Sequence, residues 1–524
     1  MSKIAFFPSG AIHRIPFALS VAKRSFAKSK RGAATVACPS TSRPWRYAQG
    51  ERTAKTGRAT FVIACLFLLA AISNASAQGA TAHDIRLPDY QTVQLDNGGT
   101  LLLVPRNDVP MIAASVIVRG GSLADAAGKE GTADLLAEML SKGAGERDAL
   151  AFAQAVDGAG GSLTFGSSRE AVVASAQFLS KDAGLMLSLL SDALLRPRME
   201  QAEFDKLRKR AIDGLASAKD SDPRQLIGIY GDAWLFRGHP YGRPTGGDET
   251  SLARIALADL QDFRRQQMGG DRLIIAIAGD FDPAAVTAQV RQAFGGWAKA
   301  EGALPEVAAR AKETGRRVLL VDKPGATQTY FMLANVGSHR GDPAEAAQDL
   351  VQTAFGGRFT SMINTELRIK SGLSYGARSS IERPRAPGAV SITSFTKTES
   401  TAKAIDLAIA TLDRLHAEGL DAATLQSAKH YIAGQFAPDL ETAPQLASAI
   451  ARMVLYGESR DSIDGYLGRV AAATPEQVAA ARAVFPDSDD LAIVAIGDAD
   501  RIREAMEAYG PLTEMKLTDP RFSP

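Results

Sequence analysis

The stretch KEGTADLLAEMLSKG, Lys129 to Gly143, places two carboxylates, Asp134 and Glu138, four residues apart. On an α-helix that separation puts both on one face. Carboxylate oxygens suit hard cations such as Mg²⁺, Ca²⁺ or Mn²⁺. Between them stands Ala137, which offers neither a ligand atom nor a base for water. The pair therefore reads as solvated or hydrogen-bonded acids facing a cleft, not as a metal centre. Histidine offers no alternative. His239 lies in the turn HPYG, where a structural hydrogen bond is the expected role. His339 is in a loop, and His416 and His430 belong to different helical stretches. No two of these have ligand spacing. Cys38 and Cys65 both precede residue 78, so the chain after it has neither thiolate ligands nor disulfides.

Before asking what positions these residues, the first 77 must be set apart as targeting. Ala59–Ile72 is an apolar run too short to span a bilayer. Arg58 precedes it, and the small-residue pattern Ala75-Ser76-Ala77 follows it. That is a secretory signal peptide, with cleavage expected after Ala77. Export implies a periplasmic protein with no membrane span once the signal is removed. Residues 1–57, rich in Lys, Arg and Ser, are read as the product of a start site placed too far upstream. Residues 1–77 hold 12 of the 60 bases and 1 of the 58 acids, which leaves 48 against 57 and a net charge of −9. A nucleic-acid partner needs a clustered positive face, and none is implied. The remainder, 78–524, is long enough for two domains with full cores.

Those two domains are written in the sequence as a repeat. LLLVPRNDVP from Leu101 resembles VLLVDKPGAT from Val318, with Val104 and Val321 offset by 217. LIIAIAGDFD from Leu273 resembles LAIVAIGDAD from Leu491, with Gly279 and Gly497 offset by 218. Two anchors with nearly one spacing indicate a duplicated domain. In the first half, TVQLDNGGTLLLVP predicts a hairpin turning at Asn97-Gly98. The strand MIAASVIVRG follows, then the helix carrying Asp134 and Glu138, then two strands in GSLTFGSSREAVVASAQFL. Helices are predicted near 181–195, 199–218, 257–267 and 283–294, with a buried strand at Leu273. Hairpins with grouped helices give an α+β fold of two homologous domains, each a mostly antiparallel sheet with helices packed on it. The expected boundaries are 85–296 and 317–510, joined by a linker at 297–316.

The duplicated α+β pattern, HPYG at His239–Gly242 and LRIKSGLSY at Leu367–Tyr375 together resemble the pitrilysin/insulinase family of inverted zincins. That family includes the mitochondrial processing peptidases, and the resemblance spans residues 85–510. Active members carry H-x-x-E-H on the first long helix, binding zinc and activating water. Laying G-x-A-H-F-L-E-H-M on this chain aligns Gly131 and Met139. The ligand positions then hold Asp134 and Glu138, and the general-base position holds Ala137. The third-ligand position falls near Leu215, with Asp213 the nearest acid. All four roles are lost, so no metal is expected in this chain.

A second family feature is kept. In TSMINTELRIKSGLSYGARSS the resemblance implies that Arg368 and Tyr375 face the cleft, bind substrate carbonyls and stabilise the tetrahedral intermediate. An arginine that does not deprotonate and a phenol donor suit that task. Taken without the family pattern, the same residues read as a helix-surface charge and a half-buried strand tyrosine. A chain without zinc ligands but with this pair implies a non-zinc subunit of a periplasmic heterodimeric metalloendopeptidase. Its partner would be a homologous zinc-bearing subunit, and its substrate an extended peptide. Such peptides add a strand to a sheet edge; here the equivalent edge is near Ser162–Ser168, with auxiliary contact only. FGGRF, Phe355–Phe359, stands where processing-peptidase non-catalytic subunits carry a glycine-rich loop, but two glycines make a turn. The alternatives are a structural protein of the same fold, like the core subunits of respiratory complexes, and a peptide-binding module acting alone.

Overall fold

Strand β1 (Gln91–Gln94) folds back on β2 (Thr100–Pro105) through the turn at Asn97-Gly98, where Gly98 has φ +94°. The computed structural model describes residues 85–524, so the expected signal peptide and its cleavage site lie outside the described residues. After β3 (Met111–Arg119) come α1 (Thr132–Met139) and α2 (Ala149–Gly158). The hairpin β4 (Ser162–Ser167) and β5 (Ala171–Leu179) leads into three helices. These are α3 (Ala183–Leu195), α4 (Gln201–Ser221) and α5 (Ile227–Leu235). Then α6 (Leu257–Gln267), β6 (Leu273–Gly279) and α7 (Pro283–Phe294) close the half. Its sheet has the order β1-β2-β6-β3-β5-β4, with only β2 and β6 parallel.

The second half repeats the plan. It runs β7 (Arg317–Asp322), β8 (Gln328–Val336), α8 (Glu345–Gln352), β9 (Ala377–Ile381) and β10 (Ala389–Lys397). Helices α9 (Thr401–Glu418), α10 (Ala422–Phe436) and α11 (Ala443–Tyr456) follow, then β11 (Ala492–Gly497) and β12 (Leu512–Lys516). The order is β9-β10-β8-β11-β7-β12, with β7 parallel to both β11 and β12. The starts of β2 and β7, Thr100 and Arg317, repeat the offset read from the sequence, as do Met111 and Gln328 of β3 and β8. This is the duplicated α+β fold with mostly antiparallel sheets. The second sheet runs past residue 510, because β12 adds to its edge beside β7. Residues 297–316 contain no regular helix or strand.

Each sheet is covered on both faces, which is why β6 and β11 are buried along their whole length. Leu101 and Leu103 of β2 face helices of their own half, whereas Leu102 and Val104 face Leu446, Ile450 and Met453 of α11. In the second sheet Val318 and Leu320 face α8 and α9, whereas Leu319 and Val321 face Tyr230 and Trp234 of α5. Each half therefore lends one helix to the other's sheet. The approach is close: a Cβ on Gly231 of α5 would lie 2.2 Å from Met332 Sδ. Arg169, between β4 and β5, pairs with Asp232 of α5 and, at 3.0 Å, with Glu382 beyond β9. No described helix is long and apolar enough to cross a membrane.

Candidate functional site

Helix α1 starts at Gly131, whose φ is +98° and where a Cβ would meet Gly246 O at 2.9 Å. Only glycine fits there. The buried Asp125 carboxylate accepts from Gly131 N at 2.8 Å and Ala133 N at 2.9 Å. These are backbone donors a helix start leaves without partners. Burial nevertheless pushes the Asp125 carboxyl up to about 7, against the pull of those two N–H groups. Along the helix Ala133, Leu136, Ala137 and Met139 enter the core, which leaves Asp134 and Glu138 together on the other face, as their spacing predicts.

Both carboxylates have partners within the chain. Ser167 Oγ, on β4, donates to Asp134 Oδ1 at 2.9 Å. Burial pushes Asp134 up to about 6; the Ser167 bond opposes the rise and the Glu138 charge adds to it. Glu138 is ion-paired with Arg210 of α4. Ala137 is fully buried and Leu215 packs against the core. Asp213 turns outward to Lys209 Nζ at 2.6 Å, so it does not join the pair on α1. Two engaged carboxylates, a methyl and an isobutyl group do not fit a zinc ion, which needs three or four free donors. Among the described residues no group of three His, Cys, Asp or Glu side chains is placed to hold a metal. His239 accepts from Tyr241 N through Nδ1 at 3.2 Å. Its Nε2 therefore carries the proton and donates to Ala308 O at 2.9 Å, tying down the segment between the halves.

Arg368 and Tyr375 do come together. The Arg368 guanidinium carbon stands 4.4 Å from the Tyr375 ring centroid and 4.7 Å from that of Phe359. Both rings are exposed, Tyr375 at 75% and Phe359 at 51%. The backbone beneath them is fixed by many bonds. Arg368 sits on a π-helical turn, Thr365–Lys370, a geometry often found at functional sites. Ser371 Oγ donates to Glu366 O at 2.7 Å, and Ser374 N donates to Leu367 O at 2.9 Å. The Glu366 carboxylate accepts from Lys370 at 3.0 Å and from Arg414 of α9 at 2.9 Å. Burial works to raise that carboxyl, but the two cations outweigh it and hold it below its ordinary value. On the Tyr375 side, Thr396 Oγ1 of β10 donates to Leu373 O at 2.7 Å, and Ser394 Oγ to Ser374 Oγ at 3.0 Å. Among the described residues no acid pairs with Arg368, and no hydrogen bond or ion pair joins this cluster to α1.

Residues 102–249, which include α1, match the insulinase family, peptidase family M16, and residues 254–432, which include Arg368 and Tyr375, match the peptidase M16 inactive domain. An uncharacterized zinc protease of Mycobacterium tuberculosis is 30% identical over 372 residues, 70% of this chain and 84% of that protein. The chain belongs to the peptidase M16 family. The probable mitochondrial-processing peptidase subunit beta of Arabidopsis thaliana is 24% identical over 276 residues, 52% of each chain. A peptidase M16 inactive domain from Pseudomonas fluorescens superposes with a TM-score of 0.73 at 25% identity, covering 78% of this M16 chain and 98% of its own.

Two residues at these sites carry no signal in the M16 sequence pattern. Arg210 lies in a helix charged on most of its surface, and nothing in the letters says which cation turns to α1. Phe359 looks like one more turn residue after Gly356-Gly357 until its ring is found against Arg368. An aromatic residue in a glycine turn was the available cue.

Proposed function

We propose that this chain is the non-zinc subunit of a periplasmic, two-chain M16 zinc metalloendopeptidase that degrades peptides. In that assembly it supplies Arg368 and Tyr375 to the substrate, and a homologous partner chain supplies the zinc and the activated water. One observation carries this reading: a half-buried guanidinium, with no acid paired to it among the described residues, stacks on an exposed phenol ring over a turn held by several hydrogen bonds. Order invested beneath exposed polar groups has no stability rationale, and it suits a site that must be pre-organised. The guanidinium edge and the Tyr375 hydroxyl can both donate to a peptide carbonyl oxygen. Their bonds strengthen as that oxygen gains negative charge. At α1, the Arg210–Glu138 pair and the buried Ala137 leave no place for the same chemistry within this chain.

The test is peptide hydrolysis by this chain combined with its zinc-bearing partner. Arg368→Ala or Tyr375→Phe is expected to slow turnover by about 10²–10³, with complex formation by size-exclusion chromatography unchanged. The loss falls on kcat where the contact strengthens in the transition state, and on KM where it only holds the ground-state carbonyl. If both variants assemble and cleave at the wild-type rate, the pair is structural and the reading fails.

A further inference from the structure

Resting on that reading of Arg368 and Tyr375, we infer that Phe359 and Tyr375 form a shelf selecting peptides with a large apolar side chain next to the carbonyl held by Arg368. Two large rings flank this one guanidinium, Phe359 exposed at 51% and Tyr375 at 75%. Contiguous exposed apolar surface of this kind marks an interaction site. Phe359 and Tyr375 are each against the guanidinium, with no ring contact between them, so Arg368 separates the two rings.

Stacking covers the faces of a guanidinium and leaves its in-plane N–H groups as the donors open to a ligand. A carbonyl reaching that edge brings the adjoining side chain of an extended peptide alongside the rings. Water-covered rings gain most from a large apolar side chain and least from a small polar one. A basic side chain there would meet the Arg368 charge.

Phe359 is held as firmly as its neighbours. Buried Asn364 donates to Phe359 O at 2.6 Å and accepts from Ala377 N at 3.1 Å, which ties the Phe359 turn to the start of β9. Its exposed ring adds little to the core, so its removal does not threaten folding.

The experiment measures fluorescence anisotropy of two dye-labelled decapeptides with the purified chain, residues 78–524. The peptides share a Gly-Ser-Ala background and differ only in a central Phe or Ser. The Phe peptide is expected to bind about tenfold tighter, the scale of discrimination an apolar pocket gives. Phe359→Ala is expected to bring that ratio below about threefold with the thermal unfolding midpoint unchanged, and Phe359→Leu to keep part of it. Arg368→Ala is expected to weaken both peptides. Equal wild-type affinities, no binding of either peptide, or an unchanged ratio in Phe359→Ala overturns the inference. If Arg368→Ala leaves both affinities intact while the ratio still depends on Phe359, the carbonyl-clamp reading fails and the shelf stands.

Discussion

Arg210 brings a guanidinium to Glu138, on the helix face that the family resemblance aligns with the zinc motif. The pair is half exposed, and ion pairs of that kind contribute about 0–1 kcal/mol, so its weight lies in occupancy more than stability. Writing the aligned zinc-motif residues into α1 is therefore not expected to be enough. In Asp134→His, Ala137→Glu, Glu138→His combined, Leu215 still presents an isobutyl group and Arg210 still points a cation at the site. The triple variant is expected to hold no stoichiometric zinc by elemental analysis after dialysis; one tightly bound zinc per chain would show the site differently built. At this scale the sequence was readable where spacing carries the information. Asp134 and Glu138 share a face because they are one turn apart, and Arg368 meets Tyr375 across a family-sized interval. The partners Arg210 and Phe359 come from other segments, where local spacing says nothing.

Helix α1 has at its start the capping carboxyl Asp125 and in its first turn Asp134, both with raised pKa, near 7 and near 6. A carboxyl whose folded-state pKa lies above its unfolded value, about 3.9, binds its proton more tightly when folded. Its contribution is present below about pH 4 and is lost as pH rises through 6 to 7. Asp134→Asn keeps an acceptor for Ser167 and removes the charge. The variant is expected to be more stable than wild type by about 1–3 kcal/mol at pH 8 and nearly equal to it at pH 4. Chemical denaturation at the two pH values checks this; equal differences at both would mean Asp134 is ionised without cost. The two edge strands differ as elements do when context rules them. On β9, Ala377 N is taken by Asn364 and Ser379 O by Gln352 at 2.9 Å, so two groups of that edge are occupied by side chains. Its counterpart β4 meets Asp134 only at Ser167. The apolar period around Arg368 reads as an ordinary helix. Its π-turn is set by Glu366, Lys370, Arg414 and Ser371, a combination that only the folded chain assembles.

For the whole molecule, the nearly equal offsets from Val104 to Val321 and from Gly279 to Gly497 revealed the duplication, and apolar runs such as LIIAIAG revealed strands buried on both faces. What covers those faces was hidden. The apolar stripe of α11 shows that it packs against something, but Leu446, Ile450 and Met453 choose the other half's sheet. Expressed alone, residues 85–296 would expose Leu102, Val104 and Ile274 on one side and Tyr230 and Trp234 on α5. That fragment is expected to be insoluble or self-associated by size-exclusion chromatography. Co-expression with residues 317–524 is expected to recover a soluble pair of the mass of both. A monomeric, cooperatively folded 85–296 would show that the lent helices are dispensable.

The reciprocal loan of α5 and α11 also bears on how such a chain arose. A single ancestral half would carry both a bare sheet face and the helix that fits it. Two copies would satisfy each other about a two-fold axis, as in an isologous dimer. A duplication of that kind would not double a self-sufficient monomer. On that account it would join two subunits that already depended on each other.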